Sequence, residues 1–402
     1  MADSALIKGL KKIKRGADTK KALRIIREFE SKPVNDPVSV GFIVQMPQVW
    51  HVQQSIYQKM CSDSRFDTWL IIIPSYNIRE KRFEDNISDY FVNECVNGNM
   101  IAAIKDGVWA DLDLDSFDYV FVQRPFSEYY PAHLKSWEIV LHTRLCYITY
   151  ATHEFEDNDE YPNDFFKDVY LGFHEDESVA DFLNAKYTKG THQRFFSIGY
   201  TSYERGLALD KECSYSKVLW APRWSTDPVV GGSHFLDYYE QLGAYEWGDN
   251  SFTVRPHPLM WDNFIKKEII TEEEKDKVLK SWSERGIKTD GNSSILDTYN
   301  DTDILISDIS SVIPMFFMTG KPVIYCPFEC EYTPSFSKIL PGLYQADSWN
   351  ELEDILKRLL SGDDPLRTER ERILNEHFMK YNHSTEAIVE QVFSDAKTHP
   401  KK

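Results

Sequence analysis

From Val38 onward, short and continuous apolar runs alternate with longer stretches in which apolar residues recur every three or four positions. The apolar runs of the first half are Val38–Gln45, Trp69–Pro74, Phe117–Gln123, Cys146–Ala151 and Phe195–Ile198. Continuous apolar runs of this length are typical of strands that are buried on both faces. Their separation by helical patterns predicts βαβ units and a parallel sheet.

The same alternation starts again after Gly199 and Tyr200, and residues 200–214 are predicted to connect the two halves. The predicted strands of the second half are Lys217–Ala221, Phe252–Arg255, Asp303–Ile306 and Pro322–Tyr325. A chain of 402 residues is long enough for roughly two domains. We therefore expect two α/β halves of Rossmann type that face each other across a cleft.

The first 36 residues have a different pattern. Residues 5–30 predict one or two amphipathic helices, in which Leu6, Leu10, Ile13 and Ala17 share one face and Ala22, Leu23, Ile26 and Phe29 share another. Ten Lys and Arg residues stand against four acidic ones between positions 1 and 32. Such a helix either packs on the body of the protein with its charged face in solvent or lies on an anionic membrane surface.

Composition narrows the classes of function. The formal net charge of -18 argues against a general nucleic-acid binder, because phosphate backbones are held by Lys and Arg. The six Cys residues are scattered and form no C-x-x-C pair, which is typical of a reducing cytoplasm. Neither a signal peptide nor a run of about 18 apolar residues is present, so the sequence predicts a cytoplasmic protein.

The most informative polar residues follow a predicted strand. Asp308, Ser310 and Ser311 lie in a turn between the strand that begins at Asp303 and a predicted helix over 309–319. Hydroxyl groups and free backbone N–H groups at such a helix start can bind phosphate, and Asp308 can orient the turn or accept a sugar hydroxyl. The alternative is simple capping of the helix by Ser or Asp.

Two further strand ends in the same half carry cationic side chains. Arg255 and His257 follow one strand, and Arg223 and Trp224 follow another. Because parallel strands end at one edge of the sheet, these side chains are expected near Ser310 and Ser311, where Arg and His suit phosphate oxygens. The alternative for His257 is a packing role between its two flanking prolines.

These motifs resemble a known family. Arg255–Pro258 (RPHP) and Ile306–Ser311 (ISDISS), followed by Lys321–Ile324 (KPVI), are similar to the C-terminal signature of the CDP-glycerol glycerophosphotransferases. These are the teichoic-acid primases and polymerases, with relatives in capsule assembly. Ala221–Trp224 (APRW) and Phe196–Tyr200 (FSIGY) also resemble elements of that family.

The resemblance covers roughly residues 195–326 and implies a fold of GT-B type with the CDP-polyol on the C-terminal domain. No P-loop motif is evident in the sequence, so we expect neither a protein-bound metal nor a tightly bound cofactor. Together with the sequence pattern, the resemblance predicts a basic amphipathic helical extension and linker (1–36), an acceptor domain (37–205), a domain that binds CDP-glycerol or CDP-ribitol (206–375) and a helical tail (376–402). Donor-binding residues would be Arg223, Arg255, Asp308, Ser310 and Ser311, with His257 as a catalytic group. Ile309 departs from the family, in which Tyr is common.

The resemblance also implies a general base in the N-terminal half. Members that make teichoic acid place a His in a Trp-His-Gly-type motif, and the comparable strand end here carries His153 without the neighbouring Gly and Lys. We therefore expect His153 to be the base, with Glu154 as the next choice. Arg124, which follows the predicted strand Phe117–Gln123, either positions an anionic acceptor or merely turns the chain. The alternative for His153 is a hydrogen-bonding role within an acidic loop.

The implied reaction transfers a polyol phosphate from a CDP-polyol to a hydroxyl of a cell-surface glycan or a lipid-linked acceptor, and CMP leaves. The implied location is the cytoplasm or the inner face of the plasma membrane. Two other functions remain open at this point: a GT-B glycosyltransferase that uses a nucleotide sugar, and a catalytically silent scaffold in polymer assembly.

Overall fold

The fold is described by a computed structural model that covers residues 18–77, 80–154, 164–227, 232–292 and 294–402. Within these ranges the chain forms two compact units. The first unit contains the residues up to Tyr150, the stretch from 164 to Thr201 and the C-terminal segment His383–Lys402. The second contains residues 151–154 and Ser202–Asn382.

The first unit is built on a seven-stranded parallel sheet whose strands are short and, apart from the edge strand β5, largely buried. Its strands are β1 (Val38–Val44), β2 (Phe66–Ile72), β5 (Met100–Ala102), β8 (Tyr119–Val122), β9 (Arg144–Ile148), β10 (Leu171–Phe173) and β11 (Phe195–Phe196). They lie in the order β11-β10-β9-β8-β1-β2-β5. Two small antiparallel pairs follow β2: β3 (Tyr76–Asn77) with β4 (Arg82–Phe83), and β6 (Ile104–Lys105) with β7 (Val108–Trp109).

Helices cover this sheet. They are α1 (18–29), α2 (Gln54–Cys61), α3 (Asp89–Glu94), α4 (Ser136–Ile139), α5 (Glu177–Tyr187) and, from the far end of the chain, α15 (Ser384–Ala396). Short helical turns lie at Pro47–Val52, Leu114–Ser116, Ser127–Tyr129, Ala132–Leu134 and Asp164–Lys167. Burial of Ala22, Leu23, Ile26 and Phe29 shows that the apolar face of α1 packs into the unit, as its periodicity predicts.

The C-terminal helix α15 is joined to the first unit by polar contacts as well as apolar ones. The Tyr119 hydroxyl donates to Asp395 (2.6 Å), and Arg65 forms an ion pair with Glu390 (2.5 Å). Beyond the helix, the backbone N–H of Val34 donates to the carbonyl of Pro400 (2.8 Å). Both ends of the described chain therefore belong to the same unit.

The second unit is built on a six-stranded parallel sheet. Its strands are β12 (Lys217–Ala221), β13 (Ser251–Val254), β14 (Lys288–Thr289), β15 (Ile304–Asp308), β16 (Val323–Cys326) and β17 (Tyr344–Gln345). They lie in the order β14-β13-β12-β15-β16-β17, so the first and fourth strands of the unit are neighbours at its centre. This is the strand order of the doubly wound Rossmann fold.

Helices connect and pack against the strands of the second unit. They are α6 (Thr201–Leu207), α7 (Phe235–Ala244), α8 (Met260–Lys266), α9 (Glu272–Glu284), α10 (Ile295–Asn300), α11 (Val312–Phe317), α12 (Pro334–Ile339), α13 (Trp349–Leu360) and α14 (Arg367–Ile373). Helical turns of other types occupy Leu340–Gly342, Leu374–Phe378 and Met379–His383.

The two parallel sheets confirm the predicted α/β class of GT-B type. All nine predicted apolar runs contain a strand, with ends displaced by up to three residues. Four strands of these two sheets (β5, β10, β14 and β17) and the four strands of the small antiparallel pairs were not predicted, because two or three residues are too few to show a period. The predicted connection over 200–214 contains α6, and the predicted helix over 309–319 begins at Val312. Among the described residues, no helix is both long and apolar enough to cross a bilayer.

Candidate functional site

The candidate site lies at the carboxyl ends of the two central strands of the second unit. The chain leaves β12 toward one side of the sheet and reaches β15 only after building the other strands of that side. In open α/β sheets such a switch in strand order creates the crevice where ligands bind. The segment that follows β12 carries Arg223, and β15 ends at Asp308.

Asp308 is the most heavily hydrogen-bonded side chain at this edge, and only 1% of the residue is exposed. Its carboxylate accepts from the backbone N–H of Arg223 (2.8 Å), from the hydroxyl of Ser233 (3.1 Å) and from the backbone N–H of His234 (3.0 Å). The Nδ1 atom of His234 lies 2.9 Å from the same carboxylate. A buried carboxylate needs hydrogen-bond donors, and the donors of Asp308 come from the turns around it. Asp308 therefore holds these turns in position.

Arg223 is held close to this carboxylate. Besides the backbone bond to Asp308, its guanidinium donates to the carbonyl of Ile309. The side chain of Ile309 is fully buried, so the residue that departs from the family pattern contributes its backbone at this edge. Arg223 therefore brings a positive charge to the start of the turn that carries Ser310.

The serines form the next part of the edge. The Ser307 hydroxyl is 3.0 Å from the carbonyl of Ala221 and 3.4 Å from the hydroxyl of Ser310, so it bridges β12 and the turn. Ser311 occupies the N-cap position of α11 but makes no side-chain capping hydrogen bond. Both Ser310 and Ser311 are partly exposed. The capping alternative considered for Ser311 is therefore not what the structure shows.

His257 lies beside the same turn. Its backbone N–H donates to the carbonyl of Pro222 (3.2 Å), and its Nδ1 accepts from the backbone N–H of Leu259 (3.1 Å). Burial, together with the nearby charge of Arg223, lowers the pKa of His257 to about 4. The ring is therefore neutral near pH 7 with its proton on Nε2, which makes that nitrogen a donor.

Arg255 is placed differently from the prediction of an open phosphate-binding fork. Its guanidinium pairs with Asp290, donates to the carbonyl of Asn292 (2.9 Å) and approaches the hydroxyl of Thr298 (3.3 Å). Burial opposes ionisation of Asp290, but hydrogen bonds from Thr298, Asn292 and Arg255 lower the pKa of this carboxyl overall. Arg255 thus holds the turn after β14, and its contact with phosphate stays a prediction.

His153 and Glu154 belong to the second unit although they follow a strand of the first. The Thr333 hydroxyl donates to the carbonyl of His153 (2.6 Å), and the Thr333 N–H donates to the carbonyl of Glu154 (3.1 Å). Thr333 caps α12, in the segment that follows β16, next to β15. The carboxylate of Glu154 is buried and accepts from the Thr152 hydroxyl (2.6 Å). The acidic loop at Glu156 and Asp157 lies outside the described residues.

Arg124 lies at the corresponding edge of the first unit, directly after β8. The residue is 7% exposed, and its guanidinium carbon is 3.5 Å from the ring centre of Tyr129. Its Nε has no hydrogen-bond partner among the described residues, and burial lowers the pKa of the guanidinium. Gln123 meanwhile joins the ends of β1 and β8 by accepting from the N–H of Gln45 (2.8 Å).

One site residue was missed at the sequence level. His234 follows Gly232 and Ser233 in the first βα turn of the second unit, and only this position after a predicted strand could have indicated it. Its partner Asp308 is 74 residues away in the chain, so the pair is visible only in the fold. Within the described ranges, no three His, Cys, Asp or Glu side chains group in a way that could hold a metal ion.

The sequence around this edge of the sheet matches a known protein family. Residues 199–394 match the model of the CDP-glycerol:poly(glycerophosphate) glycerophosphotransferases. Over these residues the chain is similar to this family. The matched range contains Arg223, His257, Asp308 and both serines of the turn, and it makes the chain an enzyme of the CDP-glycerol glycerophosphotransferase type.

Solved structures are similar to the chain at the level of the fold. The wall teichoic acid polymerase TagF aligns with a TM-score of 0.52 and 13% identity, covering 97% of this chain and 96% of that one. MnaA of S. aureus with UDP aligns with a TM-score of 0.55 and 11% identity over 91% and 99%. UDP-GlcNAc 2-epimerase of Neisseria meningitidis aligns at 0.55 and 10% over 89% and 100%. No curated protein is similar enough in sequence to count as a relative.

The protonation state of His257 is directly testable. Long-range ¹H–¹⁵N NMR spectra at pH 7 should show a neutral ring protonated on Nε2, and titration should protonate it only near pH 4. Because the unfolded state binds this proton below about pH 6.5, the stability that His257 provides is lost as the pH falls from about 6.5 to 4. His257→Gln should remove that part of the pH dependence of unfolding. An imidazolium at pH 7, or a proton on Nδ1, would contradict the assignment.

Proposed function

We propose that the chain transfers glycerol phosphate or ribitol phosphate from a CDP-polyol to a hydroxyl of a cell-surface glycan or lipid-linked acceptor, with CMP as the leaving group. The proposal is supported by the cationic and hydrogen-bond-donating side chains at the ends of β12 and β15, which lie inside the segment that matches the family. Arg223, neutral His257 and the Ser310 and Ser311 hydroxyls are all suited to phosphate oxygens.

The reaction balances with these groups. An acceptor hydroxyl attacks the β-phosphorus, a new P–O bond forms, and the bond from that phosphorus to the bridging oxygen breaks. CMP leaves with the electron pair of the broken bond, and the proton of the acceptor hydroxyl passes to a base. Positive charge and N–H or O–H donors around the pyrophosphate stabilise the charge that develops on CMP.

Donor binding is the first test. CDP-glycerol or CDP-ribitol should raise the melting temperature of the chain, because a ligand that binds only the folded state stabilises it. Replacing Ser310 and Ser311 by Ala together should weaken this binding at least tenfold, since a hydrogen bond to a charged group contributes about 1.5–3 kcal/mol. Isothermal calorimetry measures both affinities.

The control for the serine variant is Ser283→Ala, because Ser283 is exposed on α9 of the same unit. This variant should bind the donor as the unaltered chain does. Equal affinity in the double variant and the control would remove the serines from the site. A chain stabilised by UDP-sugars and by no CDP-polyol would support the glycosyltransferase alternative. Stabilisation by neither ligand class would support the silent scaffold.

We further propose that His153 is the general base. Its backbone is tied through Thr333 to the segment that follows β16, and β16 lies beside the strand that ends at Asp308. A His of near-neutral pKa is the usual group for taking a proton from a hydroxyl. Glu154, the second choice, is less suited because its buried carboxylate is already bonded to Thr152.

His153→Ala should lower kcat about 10²- to 10⁴-fold, the usual contribution of a general base, and leave the affinity for CDP-glycerol unchanged. The bond from Thr333 to the backbone of His153 is kept in this variant. His377→Ala, at an exposed His of the same unit, serves as the control. Turnover at the normal rate in His153→Ala, or a parallel loss in the control, would refute the assignment.

The acceptor is proposed to bind the first unit, at Arg124. The guanidinium of Arg124 is buried and stacked on Tyr129, and its Nε has no hydrogen-bond partner among the described residues. Burying such a charge costs folding free energy unless an anion binds to it. A phosphate group of the acceptor has the right charge and geometry. This supports an acceptor that is itself phosphorylated.

The chain is also proposed to bind anionic lipid through α1. Lys20, Lys21, Arg24 and Arg27 are exposed, opposite the buried face of the helix. Each basic residue near such a surface contributes about 1 kcal/mol. Changing Lys20, Lys21 and Arg24 to Gln together should therefore reduce co-sedimentation with phosphatidylserine vesicles strongly, and added salt should do the same.

The matched control for lipid binding changes Lys277 and Lys280 to Gln, because both are exposed on α9 of the second unit. Vesicle binding that is equal in the two variants, or that does not respond to salt, would exclude α1 as a membrane-binding element.

A further inference from the structure

His234 and Asp308 form a hydrogen-bonded pair that the reaction as proposed above does not use. The Nδ1 atom of His234 is 2.9 Å from the carboxylate, and the backbone N–H of the same residue donates to that carboxylate at 3.0 Å. The ring also stacks on Tyr238, with 5.6 Å between ring centres and 12° between planes. Three independent contacts therefore fix the orientation of this imidazole.

The two members of the pair differ in exposure. The Asp308 side chain is 2% exposed, whereas 24% of the His234 side chain is exposed. Since Nδ1 is engaged by the carboxylate, Nε2 is the ring nitrogen that remains for a ligand. A carboxylate that fixes one nitrogen and thereby directs the other is the common way in which proteins orient a functional histidine.

The titratable groups around His234 come from four elements, and three of these elements supply a carboxylate. Asp308 lies on β15, Asp237 on α7 and Asp347 in the segment before α13, while Tyr238 of α7 and the thiol of Cys326 on β16 adjoin the same carboxylates. Burial lowers the pKa of His234, but the hydrogen bond and charge of Asp308, aided by Asp237 and Asp347, outweigh it. The pKa of His234 is therefore raised above its usual value.

His234 and His257 lie on either side of the same short turn. The backbone N–H of His257 donates to the carbonyl of Pro222, and the next residue, Arg223, donates its N–H to the carboxylate that holds His234. The two rings have opposite electrostatic surroundings: Arg223 stands near His257, whereas carboxylates surround His234. Titratable groups with opposed environments in one site usually have different chemical roles.

We propose that His234, oriented by Asp308, is a phosphate-binding residue that contacts the pyrophosphate of the CDP-polyol through Nε2 as an imidazolium and stabilises the departing CMP. This inference rests on the proposed function, because the donor and the leaving group are those of the polyol phosphate transfer. His257 then contributes a neutral N–H to the same site, and His234 contributes the titratable positive charge.

Because the charge on His234 is titratable, the affinity of the site for CMP and for the CDP-polyol is expected to change with pH. Below the pKa of His234 the ring carries a proton and attracts the phosphate oxygens. As the pH rises through that pKa, the charge is lost and the affinity for CMP falls. A histidine whose pKa is lowered, as that of His257 is, cannot produce this response above pH 6.

The experiment measures the Kd of CMP, CDP-glycerol and inorganic pyrophosphate by calorimetry between pH 5.5 and about 9, in the unaltered chain and in His234→Gln. CMP should bind about tenfold or more tightly to the unaltered chain near pH 6, the effect of one hydrogen bond to a charged group. This ratio should shrink toward one at high pH. His377→Gln, at an exposed His of the same unit, should leave every affinity unchanged.

A second measurement requires no substitution. In NMR titrations of the unaltered chain, saturation with CMP should raise the pKa of His234, because the bound phosphate favours the imidazolium. An unchanged pKa, or a Kd ratio that is the same at all pH values, would overturn the proposal while leaving the transfer reaction intact. If pyrophosphate binds in a His234-dependent way but CDP-glycerol does not bind, the anion site stands and the proposed function fails.

Discussion

The second unit depends on one buried carboxylate. Asp308 is the last residue of β15. Its two carboxylate oxygens are hydrogen-bonded to the segment after β12, to the turn before α7 and to the ring of His234. Unpaired, such a charge would be too costly to bury, so these turns are arranged to supply it with donors. The need to hydrogen-bond this carboxylate therefore sets the positions of Arg223 and His234. Ser310 is placed by the same residue, because it lies two positions after Asp308 at the end of β15.

The sheets and the local parts of the site were predictable because their signals are local. Apolar runs mark buried strands, and the order strand, polar turn, helix around Ser310 can be recognised within a dozen residues. Interactions between distant residues were not predictable in this way. Arg255 pairs with Asp290, 35 residues further along the chain, and His234 pairs with Asp308, 74 residues further along. The sequence pattern around Arg255 or His234 therefore does not indicate its partner. The periodicity of α15 likewise predicts a helix but not the unit on which it packs.

The two units carry cationic groups of different kinds. In the second unit, the charge of Arg223 is combined with a His257 of lowered pKa and a His234 of raised pKa, so the anion binding proposed there would weaken as the pH rises. In the first, Arg124 lies buried against Tyr129, and its Nε has no hydrogen-bond partner among the described residues. Both are placed at the carboxyl edge of a parallel sheet, where the ends of the central strands leave room for a ligand.

In the proposed reaction, phosphorus moves with the polyol. The most direct measurement incubates the chain with CDP-glycerol labelled with ³²P at the β-phosphorus and with a phosphorylated glycan acceptor, then separates the products by chromatography and mass spectrometry. Transfer of the polyol phosphate predicts unlabelled CMP and an acceptor that has gained labelled glycerol phosphate. Label that stays on the nucleotide while the acceptor gains only an unphosphorylated group would contradict it.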